Sequence, residues 1–392
     1  MIRLRLKPGR DESVRRRHPW LFSGAVAFRE GDGSDGKAEV VDARGELLAR
    51  GAYSPDSQII ARLWTFDGLP VDADLFRRRF LAARALRERF VSVGTTGYRL
   101  VNSEGDRCPG LLIDRYGDVA VLDLLTGGTA RWEAELAAAA RSVFAPTRLI
   151  VRSSAATQDD RRRDSSRESR ASESDLVWFS ENNLKLVADV ALGQKTGFFL
   201  DQRDNRSRLR TLAQGRTVLN LFSYSGAFAV AALAGGALRA VDVDSSEAAL
   251  ALARRQRVAN ALPADDSDFV RADVFEDLRS RVERQEHWDI VICDPPAFAK
   301  KRSDVERAAR GYKDVNRLAM ALVAPGGLLL TCSCSGLVSA DLFQKIVFSA
   351  SRDAGIPLSM VARAGAGPDH PVSLDCPEGE YLKGMWLWRA GG

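Results

Sequence analysis

The apolar positions of this chain keep different periods in different stretches. Up to about residue 70 they come as short alternating runs, Ala38 to Val41, Leu47 to Ala49 and Ile59 to Leu63. Turn-rich segments such as Gly31-Asp32-Gly33-Ser34-Asp35-Gly36 separate them, which predicts a small β-rich unit over 1–70. From Asp72 to Phe90, Leu75, Phe76, Phe80, Leu81 and Leu86 recur at helical spacing among arginines and predict an amphipathic helix. Strands near Tyr98 to Asn102, Gly110 to Asp114 and Val119 to Leu124, then a helix from Arg131 to Val143, make a small α/β segment over 71–180. Over 181–392 the two periods alternate. Strands are predicted at Val218 to Phe222, Ala240 to Val243, Ile290 to Cys293 and Leu328 to Cys332. Helices fall at Ala227 to Leu233, Glu247 to Leu262 and Val315 to Val323. Such alternation predicts an α/β, doubly wound domain with a parallel sheet covered on both faces.

The stretch Thr157 to Asp175 is almost all Ser, Arg, Asp and Glu; it has nothing to bury and reads as a disordered insertion. Its arginines are largely balanced by acids, so a solvated linker is preferred over an RNA contact. With 392 residues the chain is too long for one ordinary core, consistent with two or three domains. No apolar run approaches the ~18 residues of a membrane span, and the start lacks a signal-peptide core, so a cytosolic protein is expected. Five cysteines, odd in number and without C-x-x-C spacing, argue against a zinc site or a disulfide framework; no metal is expected. A net charge of +5 suits a polyanionic partner. The run Arg15-Arg16-Arg17-His18, followed by Trp20 and Phe22, sets cations beside aromatics, as a phosphate-gripping and base-stacking surface requires. The same pattern is met by aromatics in a core under a solvated arginine face, and the sequence leaves both open.

The candidate chemistry lies at predicted strand ends, where ligands bind in open α/β sheets. Asn220, Phe222, Ser223, Tyr224 and Gly226 form a strand-turn-helix junction whose small residues admit a ligand to the backbone. It has neither the glycine spacing of a nicotinamide site nor a Walker lysine. Asp244 and Ser245 close the next strand, where a carboxylate can accept both hydroxyls of a ribose. Asp244 is preferred to Asp242, the alternative for either being a helix cap. Asp273 follows at a further strand end, suited to an adenine amino group. Together and in this order the three fit S-adenosylmethionine. Asp294-Pro295-Pro296-Ala297-Phe298 then offers a carboxylate held by a proline-stiffened turn, with Phe298 available for base stacking. Ser333-Cys334-Ser335 ends the following strand with a thiol; Cys332, two residues back, is expected to stay inside the sheet. A thiol and a carboxylate delivered side by side suit covalent methyl transfer to a nucleic-acid base. The plain alternative is a strand-end aspartate and a buried cysteine.

Several longer segments carry a resemblance. LKPGR and RRRHPWLFSGAV near the start, GQKTGFFLDQRDNR at Gly193 to Arg206, NLFSYSGAF, DPPAFAK, SCSG and EGEYLKG at Glu378 to Gly384 resemble the large ribosomal subunit RNA methyltransferase I family. These enzymes use S-adenosylmethionine to make 5-methylcytosine in 23S rRNA. The resemblance covers nearly the whole chain except the Ser/Arg insertion. It implies an N-terminal PUA domain, a small α/β middle domain and a class I methyltransferase domain, with 23S rRNA or an assembling large subunit as partner and a homodimer compatible. It also implies that Lys195 to Arg206 covers the cofactor, with Asp201 and Gln202 as contacts, and that Cys334 is the nucleophile on C6 of cytosine. Asp294 would hold N3, and Pro295, Pro296, Phe298 and Lys300 would meet the RNA. Relatives with a second cysteine just after the proline of the Asp-Pro motif differ here, where Pro296-Ala297 stands instead. Methylation of a base nitrogen, with Cys334 idle, and a non-catalytic RNA-binding assembly factor are the competing readings.

Overall fold

The computed structural model describes residues 1–154, 175–299 and 301–391. Lys300 and all of the Ser/Arg insertion except Asp175 lie outside the described residues. The chain divides into two compact units. One comprises Met1–Ser180, Ala188–Leu200 and Pro368–Gly379; the other comprises Glu181–Val187, Asp201–Gly367 and Glu380–Gly392.

In the first unit a six-stranded sheet runs in the order Trp20–Phe22, Ile59–Thr65, Leu47–Tyr53, Lys37–Val41, Ile2–Leu6, Val26–Glu30. Ile2, Leu4 and Leu6 point into its core and Arg3 outward, the period of a half-buried strand. Val26–Glu30 gives no such signal in the sequence because it is an edge strand, largely exposed and paired only with Ile2–Leu6. A four-stranded sheet (Gly97–Asn102, Leu111–Tyr116, Val119–Leu124, Arg148–Ser153) packs against helices Ala73–Phe90 and Glu133–Phe144. Asp72 starts the first helix by accepting the Leu75 N–H at 2.9 Å. Two guanidiniums are buried there and both are forked onto carboxylates: Arg87 on Asp106 at 2.6 and 2.7 Å, Arg99 on Asp114 at 2.8 and 2.9 Å.

The second unit is built on a seven-stranded sheet: β1 (Thr217–Leu221), β2 (Arg239–Asp244), β3 (Phe269–Arg271), β4 (Trp288–Cys293), β5 (Val323–Ser333), β6 (Leu358–Ala364) and β7 (Lys383–Arg389). Their order is β3-β2-β1-β4-β5-β7-β6. The helices are α1 (Arg203–Leu212), α2 (Ala227–Ala234), α3 (Glu247–Ala259), α4 (Val274–Glu283), α5 (Val305–Ala321) and α6 (Ala340–Ala354). Alternate residues of one strand feed opposite cores. Ile290 and Ile292 of β4 join Leu209 of α1 and Phe228 of α2, whereas Val291 and Cys293 join Leu278 of α4 and Val315 of α5. Burial on both faces is why these strands read as continuous apolar runs. The predicted strands β1, β2, β4 and β5 pair parallel, and the sheet is extended by β7, which pairs antiparallel with β5 and with β6. Helix α5 also begins at Val305, ahead of the predicted Val315, because its first turns carry Glu306, Arg307 and Arg310 on an exposed face. Among the described residues no helix is long and apolar enough to cross a membrane.

Asp242 in β2 and Arg257 in α3 are both fully buried and paired at 2.6 Å, with the Asn220 amide donating to the same carboxylate at 2.7 Å. Desolvation lifts the Asp242 carboxyl to about 6, against the opposing pull of the Arg257 guanidinium. Replacing Arg257 by Met leaves that carboxylate without its counter-charge and is expected to cost ~3–5 kcal/mol near neutral pH. Without the guanidinium the folded-state value rises further above the ~3.9 of an unfolded chain. The folded variant therefore binds the proton first, and its deficit shrinks as the pH falls. Chemical denaturation of both proteins at pH 7.5 and pH 5 measures this; an equal deficit at the two values would contradict it.

Candidate active site

The strand order reverses between β1 and β4, and the groups of interest converge on the carboxyl ends of β1, β2, β4 and β5. The turn after β1 is sharply wound. Phe222, Tyr224 and Gly226 all have positive φ, at 56°, 46° and 71°. Two of them are not glycine, so the turn stores strain that the surrounding hydrogen bonds must hold. Ser223 N–H donates to the Val243 carbonyl at 3.0 Å and Tyr224 N–H to Asp244 Oδ2 at 2.8 Å, which clamps the turn to the end of β2. Beneath it Gln256 donates to the Ser225 carbonyl. A Cβ on Gly226 would lie 2.6 Å from the Ala253 methyl and 2.9 Å from Asp242 Oδ2, so only glycine fits. Gly226 also gives α2 no side-chain cap, leaving first-turn N–H groups open toward an anionic ligand group.

Asp244 is half-buried, and each of its oxygens accepts one backbone N–H, from Tyr224 and from Ser246 at 2.9 Å. Each keeps acceptor capacity for a hydroxyl. The cap of α3 is supplied by Ser246, which takes the Ala249 N–H at 3.2 Å. Ser245 is exposed beside it. The Asp242 carboxylate, two residues back on the same strand face, is taken up by Arg257 and Asn220. Asn220 is buried and its amide donates to Asp242. Asp273 is exposed and caps α4 through Oδ1, which accepts the Phe275 and Glu276 N–H groups at 2.9 and 3.1 Å. This arrangement fits S-adenosylmethionine: a carboxylate with spare lone pairs at a strand end, opposite a turn that no side chain fills.

On the other side of the switch, β4 and β5 run parallel with Cys293 opposite Thr331. Asp294 leaves β4 half-buried, and its Oδ2 accepts the Gln202 amide at 2.8 Å. Gln202 in turn accepts from Asn205 at 2.6 Å and is almost fully buried. Asp201 is buried as well, accepting the Tyr381 hydroxyl at 2.7 Å. Gln202 thereby orients the Asp294 carboxylate. Cys334 stands one residue beyond β5, half-buried, with Sγ 3.8 Å from the Pro295 carbonyl. The other four cysteines are buried. Burial drives Cys332 and Cys293 well above the ordinary thiol range and Cys108 to about 12. Ser335 ties the two strand ends together: its Oγ meets the Ala299 N–H at 3.3 Å and the Tyr312 hydroxyl at 2.9 Å. Phe298 is half-buried, its ring packed on Tyr312 with centroids 4.6 Å apart and on Phe275 at 6.2 Å. Pro295 is buried and Pro296 exposed. Tyr312 and Asn205 carried no signal in the sequence, since one sits on the apolar stripe of α5 and the other on a charged helix.

The basic run belongs to the first unit and is mostly spoken for. Arg15 pairs with Asp11 at 2.6 Å and Asp42 at 3.0 Å, and Arg16 with Glu12 at 2.5 Å. Trp20 Nε1 donates to Glu104 at 2.8 Å. His18 accepts the Trp20 N–H on Nδ1 at 3.2 Å, which assigns its proton to Nε2, 3.4 Å from Glu378. Cys376 lies beside this pair, the three donor atoms within 4.8 Å of one another, and burial pushes its thiol up to about 12. Arg15, Arg16, His18 and Trp20 therefore each have an acidic partner within the unit. Arg17, exposed and at φ 63°, has no acid partner among the described residues.

Comparison with known proteins adds to this geometry. A family model described as S-adenosylmethionine-dependent methyltransferase matches residues 135–382, and one described as PUA-like domain matches residues 4–66. Proteins named ribosomal RNA large subunit methyltransferase I, from Escherichia coli K12 and from Citrobacter koseri, are 43% identical over 389 residues, 98% of this chain and of each of theirs. A putative S-adenosylmethionine-dependent methyltransferase structure from Streptococcus mutans superposes with a TM-score of 0.83 at 24% identity, covering 99% of this chain and 100% of that one. A putative methyltransferase complexed with SAH gives the same values.

Substituting Asp244 by Ala removes the acceptor for two hydroxyls, each charge-assisted bond being worth ~1.5–3 kcal/mol. Calorimetry is expected to show S-adenosylmethionine binding weakened at least tenfold, with the Ser245→Ala variant close to wild type. Unchanged affinity in Asp244→Ala would remove this carboxylate from the cofactor site.

Proposed function

The chain belongs to the ribosomal RNA large subunit methyltransferase I family of S-adenosylmethionine-dependent methyltransferases, and from that premise we propose that it methylates C5 of a cytosine in 23S rRNA. The observation that carries the reading is the meeting of Cys334 with the Asp294-Pro295 turn at adjacent strand ends. C5 of cytosine is a weak nucleophile until something adds to C6. Cys334, the cysteine that is not buried, supplies the sulfur: its thiolate bonds to C6 and the ring becomes an enamine at C5. Asp294 hydrogen-bonds N3 and passes it a proton as the adduct forms, offsetting the charge on the ring. Gln202, held by Asn205, keeps that carboxylate in one orientation. The cofactor, held by Asp244 and the turn after β1, supplies the methyl group on a sulfonium. A base takes the C5 proton, the C6–S bond breaks to release Cys334, and N3 returns its proton to Asp294, which restores the aromatic ring.

The PUA-like segment and Arg17 are assigned to RNA binding, in a cytosolic enzyme acting on naked rRNA or an assembling subunit. The other members of the basic run contribute little, their charges being neutralised by Asp11, Asp42 and Glu12.

Nucleoside mapping of 23S rRNA from cells with and without the gene is expected to show one 5-methylcytosine lost on deletion, restored by wild type and not by Cys334→Ala. Asp294→Asn is expected to retain cofactor binding and lose at least 100-fold in rate. A fully active Cys334→Ala enzyme, or loss of a methylated guanine or adenine instead, would overturn the cytosine-5 chemistry in favour of transfer to a base nitrogen. For the RNA surface, Arg17→Ala is expected to lower affinity and flatten its salt dependence by about one phosphate contact. The double variant Arg15→Ala/Arg16→Ala should change the salt slope less, and the reverse order would return the weight to the whole cluster.

A further inference from the structure

The buried guanidiniums among the described residues are each matched by a carboxylate. Arg257 has Asp242 and Arg206 has Glu181, the latter at 2.5 Å with both side chains about 3% exposed. Lys383 departs from the rule. It opens β7 opposite Ser333 of β5, its side chain is buried with 7% exposure, and its ammonium donates to the Ser335 carbonyl at 2.7 Å. No carboxylate among the described residues lies within ion-pairing distance of it. A buried ammonium with three donors and one neutral acceptor is costly unless something nearby takes a negative charge. The carbonyl that anchors it belongs to the residue next to Cys334.

We propose that Lys383 is the positioning residue for the nucleophile, its fixed ammonium holding the Cys334 sulfur as a thiolate ready to add to the base. The proposal rests on the reading of Cys334 as the nucleophile. The thiol proton passes to solvent, and the Lys383 cation and the Cys334 anion then neutralise each other at the strand end. The other described titratable groups near this point are acids or are held neutral. Asp294 and Glu380 are acids and oppose a thiolate; Tyr312 and Cys332 are held neutral, both pushed upward by burial. Burial pushes the Lys383 ammonium down, and negative charge at Cys334, then at Glu380, pulls it back up. Coupling between two titrating groups is mutual, so the same interaction lowers the thiol.

The rate of Cys334 alkylation by iodoacetamide, followed from pH 5 to pH 10 by peptide mass spectrometry, tests this without RNA or cofactor. The thiolate forms a carbon–sulfur bond and iodide leaves, so the rate follows the thiolate fraction. The buried Cys108, Cys293, Cys332 and Cys376 serve as slow internal references. In the wild type the midpoint is expected below the ~8.5 of a free thiol. Lys383→Met should raise it by about one unit, a tenfold slower reaction at neutral pH, and Lys383→Arg should restore most of the difference. A wild-type midpoint at or above the free-thiol value overturns the proposal whether or not the Met variant folds. So does an unchanged midpoint in a Met variant whose melting curve is intact. A lowered midpoint together with a fully active Cys334→Ala enzyme upholds the Lys383–Cys334 coupling and sinks the nucleophile reading.

Discussion

Parallel pairing of β1 with β4, Leu221 opposite Cys293, is the constraint from which the rest of the second unit follows. Each parallel connection must cross over one face of the sheet, and right-handed crossovers to the two sides of this pair send helices to opposite faces. The connections part at β1 and β4, so no helix covers the carboxyl ends there, and a crevice opens where polar backbone would otherwise be buried. The turn after β1 can be strained, and the turn after β4 can carry two prolines, because both lie outside the ladder. The same register sets β5 beside β4, and so brings a thiol from Cys334 to the carbonyl of Pro295 across 39 residues of sequence.

Charge inside the units follows a second constraint. Taking a guanidinium or carboxylate out of water is repaid only by close and geometrically exact pairing. Arg87, Arg99, Arg206 and Arg257 each meet it with a carboxylate at short range. The pair Asp242–Arg257 does more than survive burial: by occupying Asp242 it leaves Asp244, two residues on and facing the crevice, as the acid available to a ligand. Strand alternation alone cannot separate those two, since both lie on one face of β2. Their partners do.

What was legible in the sequence followed the range of the interactions involved. The α/β alternation, the strand ends and the turn around Gly226 depend on neighbours within a few residues, and periodicity exposes them. The antiparallel strands β6 and β7 depend on pairings with distant strands; LSMVARA at an edge has no continuous apolar run to announce it. The pairing of the basic run is hidden for the same reason. Arg15, Arg16 and Arg17 look alike in sequence, yet Asp42, 27 residues on, neutralises the first, and Asp11 and Glu12 complete the pairing of the first two. His18 and Trp20 are claimed by Glu378 and Glu104, which no local pattern connects to them. Lone Arg17 differs only because the chain turns through positive φ there and no acid follows it.

The residues with reactive atoms and the residues that aim them came from different kinds of signal. Asp294 and Cys334 stand at strand ends, where position alone raises their standing. Gln202 and Lys383 hold no distinctive chemistry in one dimension. An amide and an ammonium gain meaning only from what they touch: the Asp294 carboxylate in one case, the carbonyl next to Cys334 in the other. Orientation of a reactive group within a few tenths of an ångström requires such supports to be buried and rigid. Burial is also what makes them look like ordinary structural residues. Lys383 escapes that description because a hydrophobic side chain would fill its space at lower cost in desolvation, so the ammonium at that position needs a chemical reason.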